Sequence, residues 1–159
     1  CKGCYGCVQA RRCVIEDDFQ PILAQMARAD GILLGAPTYH ASIPCELKAL
    51  LDRAGFSGRW ACNEMKKADE GYTWQGSLFS GKVVAPVTVA RRAGQNFAFA
   101  QLLLWAACND CVIPGNTYWN VGVAGKGGAV DADGDSEGVG IMQGMARRMV
   151  RTIEALNRT

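Results

Sequence analysis

The sequence has 159 residues, 49% of them hydrophobic and 20% charged, which excludes a mainly disordered chain and fits one domain whose core needs no disulfide staples. Seventeen Lys and Arg against fifteen Asp and Glu leave a net charge of +2, too small to mark a nucleic-acid or membrane-surface binder. The unusual counts are 19 Gly and 8 Cys, and four of the cysteines fall in the first thirteen residues.

The chain opens on Cys1 without a Met, so the sequence reads as processed or as a piece of a longer one. It shows no signal-peptide pattern, and its longest apolar run, Phe97 to Cys108, is broken by Gln101 and falls short of the ~20 residues that span a bilayer. A soluble, cytoplasmic protein is the expectation.

Residues 1–15 read as a cysteine-studded loop. Asp17 or Asp18 then caps a helix with Pro21 in its first turn and a stripe of Phe19, Ile22, Leu23 and Met26. Gly31–Gly35 is a short apolar run bounded by turn residues, a buried parallel strand, and residues 36–40 form the loop leaving it. Ser42 caps the next helix, with Pro44 in its first turn and Leu47, Leu50 and Leu51 inward. Residues 54–81 lack periodicity and read as a long excursion. Lys82–Val89 reads as a second strand despite Pro86. Residues 91–95 form a loop, and Asn96 caps a helix apolar on most sides and therefore expected to be buried. Val112-Ile113-Pro114 starts a third strand. Gly125–Gly140 is a surface loop, and Met142, Met145, Met149, Ile153 and Leu156 stripe a last helix whose other side carries Arg147, Arg148 and Arg151. Helices alternating with strands predict an α/β fold, an open parallel sheet with helices on both faces, whose ligands sit at the carboxyl edge of the strands. Both loops that follow strands, 36–44 and 90–95, belong to that edge.

Cys1, Cys4, Cys7 and Cys13 form C-x2-C-x2-C-x5-C. This spacing lets a short loop wrap one compact inorganic core, each thiolate ligating one iron of a [4Fe-4S] cluster, with Lys2, Arg11 and Arg12 offsetting the negative charge. A structural zinc site, disulfides and unligated thiols remain open alternatives. Cys108 and Cys111 end an apolar helix rather than begin one, so nothing lowers their pKa and they read as inert; Cys45 and Cys62 read as structural.

The stretch DDFQPILAQMARADGILLGAPTYHASIPCELKALLDR resembles the flavodoxin-like NADPH-dependent FMN reductase superfamily. The cysteine run before it, and GKVVAPVTVARRAGQNFAFAQLLLW, PGNTYWN and DSEG after it, are similar to the iron–sulfur flavoprotein branch of that superfamily. The resemblance covers nearly the whole chain. It implies a flavodoxin-like fold that binds FMN, with Pro37, Thr38, Tyr39 and Ser42 along the isoalloxazine and Arg91, Arg92, Gly94 and Gln95 near its pyrimidine end. It also implies a [4Fe-4S] cluster on Cys1, Cys4, Cys7 and Cys13. Electrons would come from NAD(P)H or a ferredoxin-like donor and pass to a small-molecule acceptor such as a quinone, in a homo-oligomer. No acid–base residue is expected; the protein supplies position and electrostatics. A cluster-free NAD(P)H-dependent FMN or quinone reductase and a flavodoxin-like electron carrier are the other readings. The family pattern begins with a strand, a Ser/Gly-rich phosphate loop, a helix and a second strand, about forty to fifty residues that this sequence does not show. The single domain at 1–159 is therefore expected to be partial. Its Gly31–Gly35 strand should have an unpaired apolar edge, and the chain alone should bind FMN weakly and aggregate.

His40, the only histidine, reads as a loop residue facing solvent. Asp131, Asp133 and Asp135 lack the Gly and bidentate Glu of a calcium loop and read instead as caps for the last helix. Tyr118 and Trp119 are candidates for a flavin border, a subunit contact or core packing.

Overall fold

A computed structural model describes residues 1–66, 70, 71, 73, 75–125 and 134–158. The elements run α1 (Gly6–Ala10), α2 (Phe19–Arg28), β1 (Gly31–Pro37), α3 (Cys45–Cys62), β2 (Val83–Ala90), α4 (Gln95–Cys108), β3 (Val121–Val123) and α5 (Ser136–Leu156). The strands form a parallel sheet in the order β1–β2–β3, with Gly31 opposite Val83, Pro37 opposite Val89, and Thr88 opposite Val121. Parallel neighbours need a crossover, and the segments carrying α3 and α4 provide it.

Alternation along the strands decides which helix each side chain meets. Leu34, Ala36 and Val84 pack with Leu51 of α3 and with Ala98, Leu102 and Ala106 of α4. Val83 and Ala85 face the opposite way, onto Met145 and Met149 of α5. Helices thus cover both faces, as the alternation predicted and as the flavodoxin-like resemblance implied. A third cluster joins Phe19 and Leu23 of α2 to Ala54, Phe79 and Cys13, which ties the cysteine segment to the body of the fold.

Several local expectations are corrected. The third strand is β3 at 121–123, not Val112–Pro114; only Val112 bridges to Val83. The reason lies at Pro86. Val84 N donates to Val112 O (2.9 Å) and Thr88 N to Asn120 O (3.1 Å), while Pro86 between them has no N–H to give. The neighbouring segment leaves the ladder over 113–119 and rejoins it at Asn120, whose side-chain amide donates to Pro86 O at 3.2 Å. A proline is tolerated in this central strand because it sits where the ladder is interrupted.

The excursion at 54–81 also begins later than expected, because α3 continues to Cys62. Its far end returns to the core, where Phe79 is fully buried against Trp105 with ring centroids 5.2 Å apart. The cysteine loop contains α1, flanked by Tyr5 and Arg11 in the left-handed region. Ser42 does not cap α3, whose N-cap is Pro44, and α4 starts after Gly94 rather than at Asn96. Pro37 and Gln95, expected in loops, are the last residue of β1 and the first of α4. The helix α4 is not wholly buried: Phe97 is 63% and Leu104 69% exposed. The N-cap of α2 is Asp18, whose side chain makes no capping bond, while Asp17 Oδ1, one residue earlier, accepts from Phe19 N (3.1 Å). Asp135 caps α5 by accepting from Gly138 N (2.9 Å), as anticipated, whereas Asp131 and Asp133 lie outside the described residues. Among the described residues, no strand pairs with the second edge of β1, and Leu33 on its α5 side is 58% exposed.

Candidate functional site

The carboxyl ends of β1 and β2 bring two short loops together. Thr38 N donates to Val89 O at 2.8 Å, stitching the first loop to the second strand. Residues 39–42 then close a tight turn through reciprocal 3.0 Å bonds between the backbones of Tyr39 and Ser42. His40 and Ala41, at its tip, hold φ of 48° and 62°. Non-glycine residues in that region each cost about 1–2 kcal/mol, so two in succession indicate a turn held for its shape. Ser42 Oγ donates to Gln101 Oε1 (3.2 Å), and Ile43 N donates to the same oxygen (3.4 Å), which anchors the turn to α4.

The second loop meets the first at Gly94. Its φ is +91°, and a Cβ there would lie 3.2 Å from Ala41 Cα. Only a residue without a side chain allows both the turn into α4 and this approach. Thr88 Oγ1 donates to Gln95 O (3.3 Å), fixing the start of the helix from below. The outcome is a shelf made by Thr38, Tyr39, Ser42, Gly94 and Gln95, with Pro37 paired to Val89 beneath it and Arg91 and Arg92 exposed on the connecting bend. The ring of Tyr39 is free for stacking, as the residue is 63% exposed. Thr38 Oγ1 is buried without a hydrogen-bond partner among the described residues, an orphaned group at the strand end. The N-terminus of α4 and the two arginines make the shelf electropositive. A flat ligand with an electron-rich polar edge fits these features.

The cysteines gather at a second place. Cys1, Cys4, Cys7 and Cys13 all line one cavity of about 20 Å³, together with Phe56 and Arg53. Gly3 N donates to Cys1 Sγ at 3.5 Å. Cys7 and Cys13 are buried, whereas Cys1 and Cys4 are exposed. Burial pushes the Cys7 thiol up, and the neighbouring Cys13 and Cys4 add to the rise. Among the described residues no three Cys, His, Asp or Glu are grouped so as to hold a metal ion. In a [4Fe-4S] cluster each of four thiolates would bind a different iron. The donor set suits such a cluster: four thiols from one loop with a cation at their side.

That cation was not legible in the sequence. Arg11, expected to offset the thiolates, instead reaches the end of α3, bonding Trp60 O (3.2 Å), Asn63 O and Glu64 Oε1 (2.6 Å). Arg53 of α3 takes the place beside Cys13, with Nη2 3.3 Å from Sγ. Gln101 was missed as well; its signal was a lone polar residue interrupting the apolar run of α4.

The remaining candidates fall elsewhere. An apolar cavity of about 460 Å³ lies over Pro86, between Phe99, Leu103, Ile113 and Trp119, and touches none of the shelf residues. It fills the gap left by the interrupted ladder. Tyr118 and Trp119 are exposed at its rim, Trp119 edge-on to Phe99 at 6.0 Å, so they are not core residues. Cys45 and Cys108 are exposed rather than buried; Cys111 is half-buried, and burial pushes its thiol up to about 11. His40 is exposed at the turn tip, and Arg147, Arg148 and Arg151 are exposed on α5. Among the described residues, no helix is long and apolar enough to cross a membrane.

Residues 2–126 match the family model described as NADPH-dependent FMN reductase. An iron-sulfur flavoprotein of Methanosarcina thermophila is 26% identical over 160 residues, covering 99% of this chain and 74% of that protein. One from Archaeoglobus fulgidus is 28% identical, covering 76% of this chain and 60% of that protein. Among solved structures, RosB with bound 8-demethyl-8-formylriboflavin-5'-phosphate superposes with a TM-score of 0.69 at 18% identity, over 92% of this chain and 56% of that one. A flavodoxin, WrbA-like protein from Agrobacterium tumefaciens gives 0.52 at 17% identity, over 85% of this chain and 71% of that one. The last two likenesses support the flavodoxin-like fold alone.

Proposed function

This chain belongs to the NADPH-dependent FMN reductase family, and we propose that it is an electron-transfer flavoprotein in which FMN on the strand-end shelf exchanges electrons with a [4Fe-4S] cluster on Cys1, Cys4, Cys7 and Cys13. The observation that carries the cluster is the convergence of all four thiols on one cavity. The iron–sulfur flavoproteins among its relatives support the same reading.

The residues divide the work by position. Pro37, Thr38, Tyr39 and Ser42 would lie along the ring, with Tyr39 offering its face for stacking. Arg91, Arg92, Gly94 and Gln95 face its pyrimidine edge, where the arginines and the N-terminus of α4 stabilise negative charge. Gly94 keeps the two loops in contact without crowding the ligand. FMN supplies the conversion between two-electron and one-electron chemistry. NAD(P)H or a ferredoxin-like protein serves as donor, a quinone or a dioxygen species as acceptor, and the active form is a homo-oligomer.

The test is elemental. Protein purified without oxygen should carry about four irons per chain and a broad absorption shoulder near ~400 nm beside the flavin bands, and Cys4→Ser should lose both. Full iron content in Cys4→Ser would overturn the ligand assignment. A second reading, a cluster-free quinone reductase, draws on a 48-residue stretch that is 44% identical to an FMN-dependent NADH:quinone oxidoreductase of Streptomyces avermitilis, covering 30% of this chain. Steady NADH oxidation by iron-free protein would favour it.

A further inference from the structure

Arg53 stands 40 positions from Cys13 in sequence and in contact with it in the fold. The cysteine spacing does not single it out. Its guanidinium makes a set of contacts that fixes its plane. Nη1 and Nη2 reach the two Asp17 carboxylate oxygens at 2.7 and 3.0 Å. Nη2 also approaches Ile15 O at 3.4 Å and Cys13 Sγ at 3.3 Å. The ring of Phe19 lies 4.0 Å below the guanidinium carbon. The side chain is only 13% exposed, and Nε is buried with no acceptor among the described residues. A guanidinium gripped on one edge by a carboxylate and on one face by an aromatic ring has little freedom left. Arg53 is among the residues that line the cavity the four thiols share.

We propose that Arg53 is a positioning residue that sets the reduction potential of the cluster, by donating a charge-assisted hydrogen bond to the sulfur of Cys13 and placing a fixed positive charge beside it. The inference rests on the cluster reading given above. Reduction adds one electron to the cluster, and the added negative charge spreads partly onto the cysteine sulfurs. A donor and a cation at one sulfur therefore stabilise the reduced form more than the oxidised form, and the potential rises. Asp17 acts in the opposite sense. It holds the arginine in place, partly through the same Nη2 that meets Cys13, but its own negative charge disfavours the added electron. Lysine cannot replace Arg53 in full, because one ammonium does not span Asp17 and Cys13 as the fork does.

The experiment compares native protein, Arg53→Gln, Arg53→Lys and Asp17→Asn, each purified without oxygen and analysed for iron. The fraction of reduced cluster is then read by electron paramagnetic resonance at the electrode potential that half-reduces the native protein. Arg53→Gln should keep its iron and show a reduced-to-oxidised ratio about tenfold lower, equivalent to about 59 mV for one electron. Arg53→Lys should fall between the two, and Asp17→Asn should shift the ratio slightly upward. Opposite signs for the two ion-pair partners are the signature, since loss of a purely structural tether would move both variants the same way. An Arg53→Gln ratio equal to the native one overturns the inference and leaves the cluster reading intact. Shifts of Arg53→Gln and Asp17→Asn in one direction also overturn it. So does loss of iron from both Arg53 variants while Asp17→Asn keeps it, which would make the arginine an assembly residue. Native protein without iron removes the cluster reading itself, and the inference with it.

Discussion

Replacing Gly94 by alanine strikes the point where the two strand-end loops touch. Gly94 holds φ +91°, and the new Cβ would stand 3.2 Å from both Cα and Cβ of Ala41. The left-handed backbone costs a residue with a side chain about 1–2 kcal/mol. The crowding adds to that, because one neighbour is backbone in a turn closed by two hydrogen bonds and can yield only by a few tenths of an ångström. With a urea slope near ~2 kcal/mol/M, the unfolding midpoint should drop by about 0.5–1 M. The effect on FMN should be separable. If the turn at 39–42 and the loop at 91–94 form one shelf, parting them weakens flavin binding by about tenfold, or ~1.4 kcal/mol. Chemical denaturation followed by circular dichroism reads the first effect, and quenching of FMN fluorescence on titration reads the second. An unchanged midpoint would refute the strain argument. A lowered midpoint with unchanged FMN affinity would refute the assignment of these loops to the flavin.

Acid should expose the role of Asp17. Its carboxyl is held below the usual range first by the hydrogen bonds from Arg53, so its contribution to stability is complete above the unfolded pKa near ~3.9 and is lost as pH falls through the lower native value. Asp17→Asn should accordingly be less stable than the native protein at pH 6, with a deficit that shrinks as the pH falls below ~3.9; a deficit that stays constant on acidification would contradict the ion pair. In iron-free protein at pH ~8, iodoacetamide should modify exposed Cys1, Cys4, Cys45 and Cys108 well before Cys111, whose thiol is pushed up to about 11 by burial; peptide mass spectrometry would reveal early labelling of Cys111 if that is wrong. Leu33→Lys should reduce concentration-dependent association seen by light scattering without lowering the unfolding midpoint, because Leu33 is exposed on β1. A lowered midpoint would mean that Leu33 is packed in solution.

The contrast between what the residues disclosed and what they hid has physical causes. Hydrophobic runs fixed β1 and β2, and the methionine stripe of α5 survives as the face packed on Val83 and Ala85. The end of α3 was hidden because Gly55, Ser57 and Gly58 are weak helix formers. They are there for close packing: a Cβ on Gly58 would meet the Phe79 ring at 2.8 Å, and one on Gly55 would crowd Trp105 Nε1 at 3.1 Å. Such contacts reach across the chain and leave no periodic trace. The third strand was misplaced because Val112-Ile113 looks more strand-like than Val121-Gly122-Val123, whereas the ladder opposite Pro86 decides where pairing can resume. In the candidate site, the shelf residues and the four cysteines were legible as a resemblance joined to spacing. Arg53 was not, since its partners Asp17 and Cys13 are 36 and 40 positions away.

The central claim is that one chain couples a two-electron flavin to a one-electron cluster, and a reductive titration counts those electrons directly. Anaerobic full-length protein titrated with dithionite and followed by visible absorption should take up about three electrons per chain before the spectrum stops changing. An end point at about two electrons, with bleaching confined to the flavin bands, would contradict the cluster, and one at about a single electron would contradict the flavin.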